Sequence, residues 1–222
     1  PFGVLFNPEL QVFYAVSFEE SKLLIISLDG EILSTLSTES TPRGLSLSND
    51  QRLFVTHAMT GQISIYDVDT QKPQLRKVVQ LRDSPINENK TVSQGKPRLL
   101  DNIAISPDGK TAWLPHVLWS FGHDFQFQST VFPAVSILDI SEKGSEHEVL
   151  DERKQLFKQI NIIENGNKTR IVSNPHDAVF TEDGKKVILS LAGSEDLMVF
   201  DLSRQGRKNK KRHRRKKFQG VA

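Results

Sequence analysis

One pattern constrains this chain more than any other: four stretches of its 222 residues can be laid on one another. They are "PFGVLFNPELQVFYAVSFEESKLLIISLDG" from Pro1, "PRGLSLSNDQRLFVTHAMTGQISIYDVDT" from Pro42, "LLDNIAISPDGKTAWLPHV" from Leu99 resuming at "PAVSILDIS" from Pro133, and "PHDAVFTEDGKKVILSLAGSEDLMVFDLS" from Pro175. Each reads as a short apolar strand, a polar turn, a second apolar strand, a loop and a third strand ending near an Asp. "LSLS", "IAIS" and "AVFT" alternate or run apolar over the length of a half-buried or buried strand. "SNDQR", "SPDGK" and "TEDGK" are turns, because Asp and Asn side chains cap their own backbone and Gly109 and Gly184 take positive φ at little cost. "ISIYDV", "VSILDI" and "LMVFDL" are rich in the β-branched and aromatic residues that suit a pleated surface.

Aligned at Gly3, Gly44, Asn102, Asp177 and Gly220, the units are spaced 41, 58, 75 and 43 residues apart. Forty to fifty residues is the length of one four-stranded propeller blade, and the longer spacings read as blades with insertions. Helical repeats need helices, and the strongest 3.6-residue candidate is "EHEVLDERKQLFKQI", residues 146–160. The fold class expected is therefore all-β, a β-propeller of four-stranded antiparallel blades. About four blades are present, near residues 1–41, 42–96, 97–173 and 174–217, as part of a larger ring of six to eight. Residues 218–222 read as the first strand of a further blade or as a ring-closing strand.

Several chemistries are excluded by composition. Cysteine is absent, which removes disulfides, thiolate metal sites, iron–sulfur clusters, covalent c-type haem and a cysteine nucleophile within this stretch. No window approaches the length of an apolar membrane span. Neither a G-x-S-x-G elbow nor a phosphate loop occurs. The net charge of +2 conceals an asymmetry: residues 207–217 hold nine Lys and Arg and no acid, while the remainder carries 20 basic against 27 acidic residues. Arg207, Lys208, Lys210, Lys211, Arg212, Arg214, Arg215, Lys216 and Lys217 are the candidates for an anionic surface or an acidic partner. Lacking interleaved aromatics, they make a poor specific nucleic-acid site, and their alternative role is to blunt an edge strand.

In a blade the first strand lines the central channel, so the residues at its start are candidates for a ligand site: Arg43, Asp101, Asn102, His176 and Asp177. His57 and His116 fall at the ends of second strands and are expected to reach the same rim as His176. Neutral imidazole binds divalent metals, so these three form a candidate metal set; their alternative is to hydrogen-bond loop backbone. The insertion at 117–132 places Trp119, Phe121, Phe125, Phe127 and Phe132 in what reads as a loop, which suggests a lid or a partner-contact patch.

The pattern P-x-G, strand, S-P-D-G, strand, loop, V-S-I-x-D resembles the YVTN-type β-propeller repeat. More narrowly, "DNIAISPDGKTAWLPHV" with "PAVSILDIS", and "NPHDAVFTEDGKKVILSLAGSEDLMVFDLS", resemble bacterial propellers found beside di-haem cytochrome c peroxidase-like (MauG-like) domains. That resemblance implies an exported, periplasmic or cell-surface protein in an electron-transfer setting, with haem confined to a separate or downstream domain. The expected function is a non-catalytic or accessory scaffold that binds a partner or ligand at the channel rim, with no certain cofactor. The alternative is a lactonase-like hydrolase using a divalent metal in the channel, for which Asp101, Asn102, Asn174 and Asp177 supply oxygen donors.

Overall fold

The computed structural model describes residues 2–70, 72–90, 92–122, 124, 130–156 and 173–204. Each repeat folds into its own antiparallel sheet. The first contains β1 (Val4–Asn7), β2 (Val12–Ser17), β3 (Lys22–Ser27) and β4 (Ile32–Ser37), paired in sequence order. The second contains β5 (Pro42–Leu47), β6 (Arg52–His57), β7 (Gln62–Asp67) and β8 (Gln74–Gln80), again in order. The third is built on β10 (Ala104–Ile105), β11 (Thr111–Trp119), β12 (Val131–Asp139) and β13 (His147–Glu148). Two short strands extend it, β9 (Lys96–Arg98) on β11 and β14 (Lys154–Gln155) on β12. In the fourth, β15 (Pro175–Phe180), β16 (Lys186–Leu191) and β17 (Asp196–Asp201) are described. The first strands β1, β5, β10 and β15 touch one another in succession, as innermost strands do around a propeller axis.

The repeated turn between first and second strands has one construction. The Ser106 hydroxyl donates to Asp108 at 2.6 Å, and Asp108 accepts the Lys110 amide at 3.1 Å. Thr181 and Asp183 repeat this with the Lys185 amide, and Ser48 with Asp50 forms the hydroxyl–carboxylate half. In the first repeat Asn7 substitutes, accepting the amides of Glu9 and Leu10. The backbone has positive φ at Gly109 and Gly184, and Gln51 adopts it at the matching place with φ 60°.

Three apolar clusters lie between the sheets. Tyr14, Val16, Leu23 and Ile25 of the first blade pack on Leu53, Val55, Tyr66 and Val68 of the second. Phe54, Ile63, Ile65 and Val79 pack on Leu100, Ala112, Leu114 and Leu138 of the third. Trp113, Val135 and Ile137 then pack on Val187, Leu189 and Leu191 of the fourth. Each fully buried aliphatic or aromatic side chain contributes about 1.5–3 kcal/mol, so the blade junctions carry the stability. Inner strands approach closely where the repeat has glycine. A Cβ on Gly3 would stand 2.6 Å from the Arg43 carbonyl oxygen, and one on Gly44 2.5 Å from that of Asp101.

Two expectations are corrected. Residues 146–156 form no α-helix: β13, a 3-10 turn (Leu150–Glu152) and β14 occupy them, and residues 157–160 lie outside the described part. The helical spacing misleads because Glu146, Glu148 and Arg153, polar by type, are buried along with Leu156. The insertion begins later than residue 117, since β11 runs to Trp119 and β12 starts at Val131, which makes Phe132 a fully buried strand residue.

Candidate functional site

The residue before the close-approach position in each repeat is Phe2, Arg43, Asp101 or His176, and the structure joins all four side chains in a row. Arg43 Nε donates to Asp101 Oδ1 at 3.0 Å, and its Nη2 stands 3.0 Å from Asp101 Oδ2. His176 Nδ1 donates to the same Oδ2 at 2.5 Å. On the other side the Arg43 guanidinium lies over the Phe2 ring, 4.9 Å from its centroid. Four blades thus supply one aromatic ring, one cation, one carboxylate and one imidazole to the start of the inner strands.

Local backbone chemistry fixes this row. The Thr56 hydroxyl donates to the Asp101 carbonyl at 2.7 Å and accepts the Gly44 amide at 2.9 Å, stapling the second blade to the third beneath the ion pair. Asn174, at φ 51°, turns the chain into β15, and its carbonyl accepts the Ala192 amide. Asp101 is the most sheltered member, with a side chain 12% exposed, against 26% for Arg43 and 45% for His176. A buried carboxylate holding two flanking donors is a positioning device, and the groups left facing solvent are the guanidinium and the imidazole. With Nδ1–H given to Asp101, the neutral tautomer carries its lone pair on Nε2.

The three histidines do not meet at a rim. His57 is the last residue of β6 and His116 lies inside β11, both fully buried. His57 donates from Nδ1 to the Ser40 carbonyl at 3.2 Å and accepts the Ser64 hydroxyl at Nε2, 2.8 Å away. His116 has its Nδ1 3.1 Å from the Val117 carbonyl and its Nε2 2.8 Å from Ser136 Oγ. Burial pushes His57 down to about 4 and His116 to about 3, so both are neutral at pH 7. Among the described residues no three His, Asp or Glu side chains are placed to hold a metal ion. These histidines are blade-internal struts, and of the trio only His176 reaches the candidate site.

The oxygen donors of the metal reading are likewise dispersed in role. Asp101 is committed to Arg43 and His176. Asp177 turns its carboxylate onto the Ala178 amide, 2.8 Å away, while its own amide bonds Ser190 Oγ. Asn102 follows Asp101 just before β10, half-buried, with its Cα 2.9 Å from where a Gly44 Cβ would be. Trp119 meets Phe121 edge-on at 6.0 Å, and Phe121 is exposed, as is Ile86 against the neighbouring Gly122. Phe125, Phe127 and the whole basic segment 207–217 lie outside the described residues.

Sequence reading missed two features. Ser64 and Ser136 partner the buried histidines, and a signal exists within the chain: the register places Ser64 and Ser136 where Leu24 and Met198 stand in the other blades. The two blades with Leu24 or Met198 have Ser17 or Leu191 in place of the histidine, so the pair occurs together or not at all. The second is a buried network around Glu148. Its Oε1 accepts Ser136 Oγ at 2.6 Å and Arg153 Nη2 at 2.6 Å, and its Oε2 accepts the Arg82 amide at 2.9 Å. Arg153 continues to Ser84 Oγ and the Arg82 carbonyl. The serine's single proton lies between His116 and Glu148, and its nearer, charged acceptor is Glu148. Neither serine has an exposed face, so neither histidine–serine pair is a nucleophile awaiting substrate.

No protein-family model matches the chain, and no curated protein matches it. Solved structures do. The periplasmic gluconolactonase PpgL of Pseudomonas aeruginosa superposes with a TM-score of 0.63 at 16% identity, over 90% of this chain and 49% of that one. A Bacteroides uniformis protein assigned provisionally as a 6-phosphogluconolactonase gives 0.61 at 16% identity, over 89% and 49%. The β-propeller domain of Cps50 (Swd1) from Myceliophteria thermophila gives 0.56 at 11% identity, over 90% and 53%. The likeness shows a β-propeller fold, and the chain spans about half the length of each of these structures.

Proposed function

We propose that this chain is part of a β-propeller that binds a small polar or anionic ligand at the mouth of its channel, with Arg43 and His176 as the ligand-facing groups and Asp101 holding both. The observation that carries this reading is the Asp101 carboxylate, which takes hydrogen bonds from two other blades while leaving guanidinium and imidazole in reach of solvent. A guanidinium offers a planar fork for a carboxylate or phosphate, and Phe2 adds an apolar wall 4.9 Å from it. Calorimetric titration with small carboxylates, phosphates and sugar-acid lactones tests it. Binding of one class, weakened tenfold or more by Arg43→Ala and by His176→Ala, is expected; no heat from any class overturns it.

A second reading, hydrolysis of a cyclic ester, is favoured by the tautomer of His176. Nε2 takes a proton from a water as its oxygen adds to the ester carbonyl, Arg43 stabilises the charge growing on the carbonyl oxygen, and His176 returns the proton to the departing ring oxygen. This route uses a base and a cation where the metal-dependent alternative needs Asp101, Asn102, Asn174 and Asp177 as donors. Acid release from gluconolactone above the spontaneous rate, retained in chelator and lost in His176→Ala, would support it. Chelator-sensitive turnover would instead revive the metal.

An exported, periplasmic or cell-surface setting and a di-haem partner belong to this proposal on the resemblance of the repeat alone, and a C-x-x-C-H motif in the same or an adjacent reading frame is its test. A protein partner is proposed for the insertion, where Phe121 is 70% exposed.

A further inference from the structure

Asp101 decides which atoms of Arg43 and His176 are left for a ligand. It takes the Nε and Nη2 edge of the guanidinium: Nε donates to Oδ1 at 3.0 Å, and Nη2 stands 3.0 Å from Oδ2. Among the described residues Arg43 Nη1 has no hydrogen-bond partner, so the Nη1 and Nη2 edge keeps two parallel N–H groups. His176 spends Nδ1 on Asp101 Oδ2 at 2.5 Å, and among the described residues its Nε2 has no partner either. Because Arg43 Nη2 and His176 Nδ1 meet the same carboxylate oxygen, the donor edge and the acceptor nitrogen lie within reach of one small molecule.

The two groups call for opposite partners. Two parallel N–H groups match the two oxygens of a planar carboxylate. A neutral imidazole whose Nδ1–H is committed offers only a lone pair at Nε2, which accepts a hydrogen bond and repels a second anionic oxygen. Charge points the same way. Asp101 offsets Arg43, and with the imidazole neutral the row carries no net charge to hold a dianion.

We infer, resting on the ligand-binding reading above, that the site selects a carboxylate with a hydroxyl on the adjacent carbon, a 2-hydroxy acid, over phosphates and over plain carboxylates. The carboxylate lies end-on against Arg43 Nη1 and Nη2, and the hydroxyl donates to His176 Nε2. Asp101 acts as a positioning residue: it touches no ligand atom, but it fixes which imidazole nitrogen carries the proton and so makes the hydroxyl a requirement. A ligand without that hydroxyl leaves Nε2 unpaired in a site it has cleared of water, the situation in which polar sites discriminate most steeply.

Glycolate, acetate, methoxyacetate and inorganic phosphate are the probes, titrated at pH 8 into the 222-residue chain and followed by amide NMR shifts. Methoxyacetate keeps the oxygen of glycolate but has no proton to donate. Glycolate is expected to bind at least tenfold more tightly than the other three. His176→Phe should bring glycolate and acetate to the same affinity, whereas Arg43→Lys should weaken both alike and leave their ratio unchanged. The wild-type series decides even where a variant fails to fold. Equal binding of glycolate and acetate, methoxyacetate as good as glycolate, phosphate tighter than either, or a glycolate preference that survives in folded His176→Phe overturns the inference and leaves the ligand-binding reading standing. Binding of none of the four overturns the inference together with that reading.

Discussion

His176 and Asp101 are 75 residues apart in sequence and belong to different blades, yet His176 Nδ1 stands 2.5 Å from Asp101 Oδ2. That single contact, continued by Arg43, makes the third blade the keeper of side chains belonging to its two neighbours. Asp101→Asn keeps the shape and removes the charge. Its expected cost to stability is about 1–2 kcal/mol, because Arg43 remains partly hydrated. Ligand affinity should fall much further than stability, at least tenfold, since both ligand-facing groups lose their anchor. Chemical denaturation and calorimetric titration of the same variant separate the two effects.

Gly44 is where backbone crowding is tightest between the inner strands of described blades. A Cβ there meets the Asp101 carbonyl oxygen at 2.5 Å and Thr56 Oγ1 at 2.8 Å, and the Thr56 hydroxyl is bonded to both strands. Gly44→Ala is expected to cost about 3 kcal/mol by overpacking, lowering Tm by about 8 °C in a chain of this size. Gly30→Ala, where nothing lies within 4 Å but φ is +85°, should cost only about 1 kcal/mol. Comparable losses at the two positions would show that the blades slide apart to make room.

The buried histidines set an acid limit. Both are held neutral by burial, His57 down to about 4 and His116 to about 3, whereas the unfolded chain takes up protons near 6.5. Their folded values are depressed, so the stability tied to neutrality is complete above about pH 6.5 and is lost as pH falls toward 4. For His57 the loss at pH 4 is on the order of 3 kcal/mol. Replacing the pair by what the fourth blade uses, His57→Leu with Ser64→Met, should flatten that part of the stability–pH curve. Either single change should destabilise more at pH 7 than the double, because each leaves one buried polar group alone. Urea midpoints between pH 4 and 8 decide it.

Arg153 and Glu148 make a prediction about charge balance in the interior. Both side chains are 2% exposed and bonded to Ser84, Ser136 and the Arg82 backbone. Arg153→Met strands a carboxylate and should cost about 3–5 kcal/mol. Adding Glu148→Gln removes the stranded charge, keeps one acceptor for the Arg82 amide and turns an NH2 donor toward Ser136 Oγ, and should recover part of that loss. A double variant no better than the single would mean that the Arg153 contacts, rather than the charge balance, hold this corner.

The sheets were legible because their signals are local. An S-x-D turn caps itself through its own side chains, and alternating strands need only their own residues to declare a face. The polar interior was not. Glu146, Glu148 and Arg153 look like a solvated helix until Arg52 and Ser136, far away in sequence, are placed beside them. The sequence reads His57 and His116 as strand ends, but only cross-strand register shows a serine diagonal to each, two residues along from the position opposite. For the candidate site, alignment of the repeats singled out Arg43, Asp101 and His176 as inner-strand residues. That they touch depends on the glycine-permitted approach of neighbouring strands, which no single repeat contains.

Phe2, Arg43, Asp101 and His176 share one address in four copies of one module. The strands behind them are held by turn caps and junction clusters that do not involve these side chains, so the face these four residues form can be rewritten one blade at a time. A lineage need alter only that address, drawing from rings, cations, acids and imidazoles, to change the chemistry of that face without reopening the core.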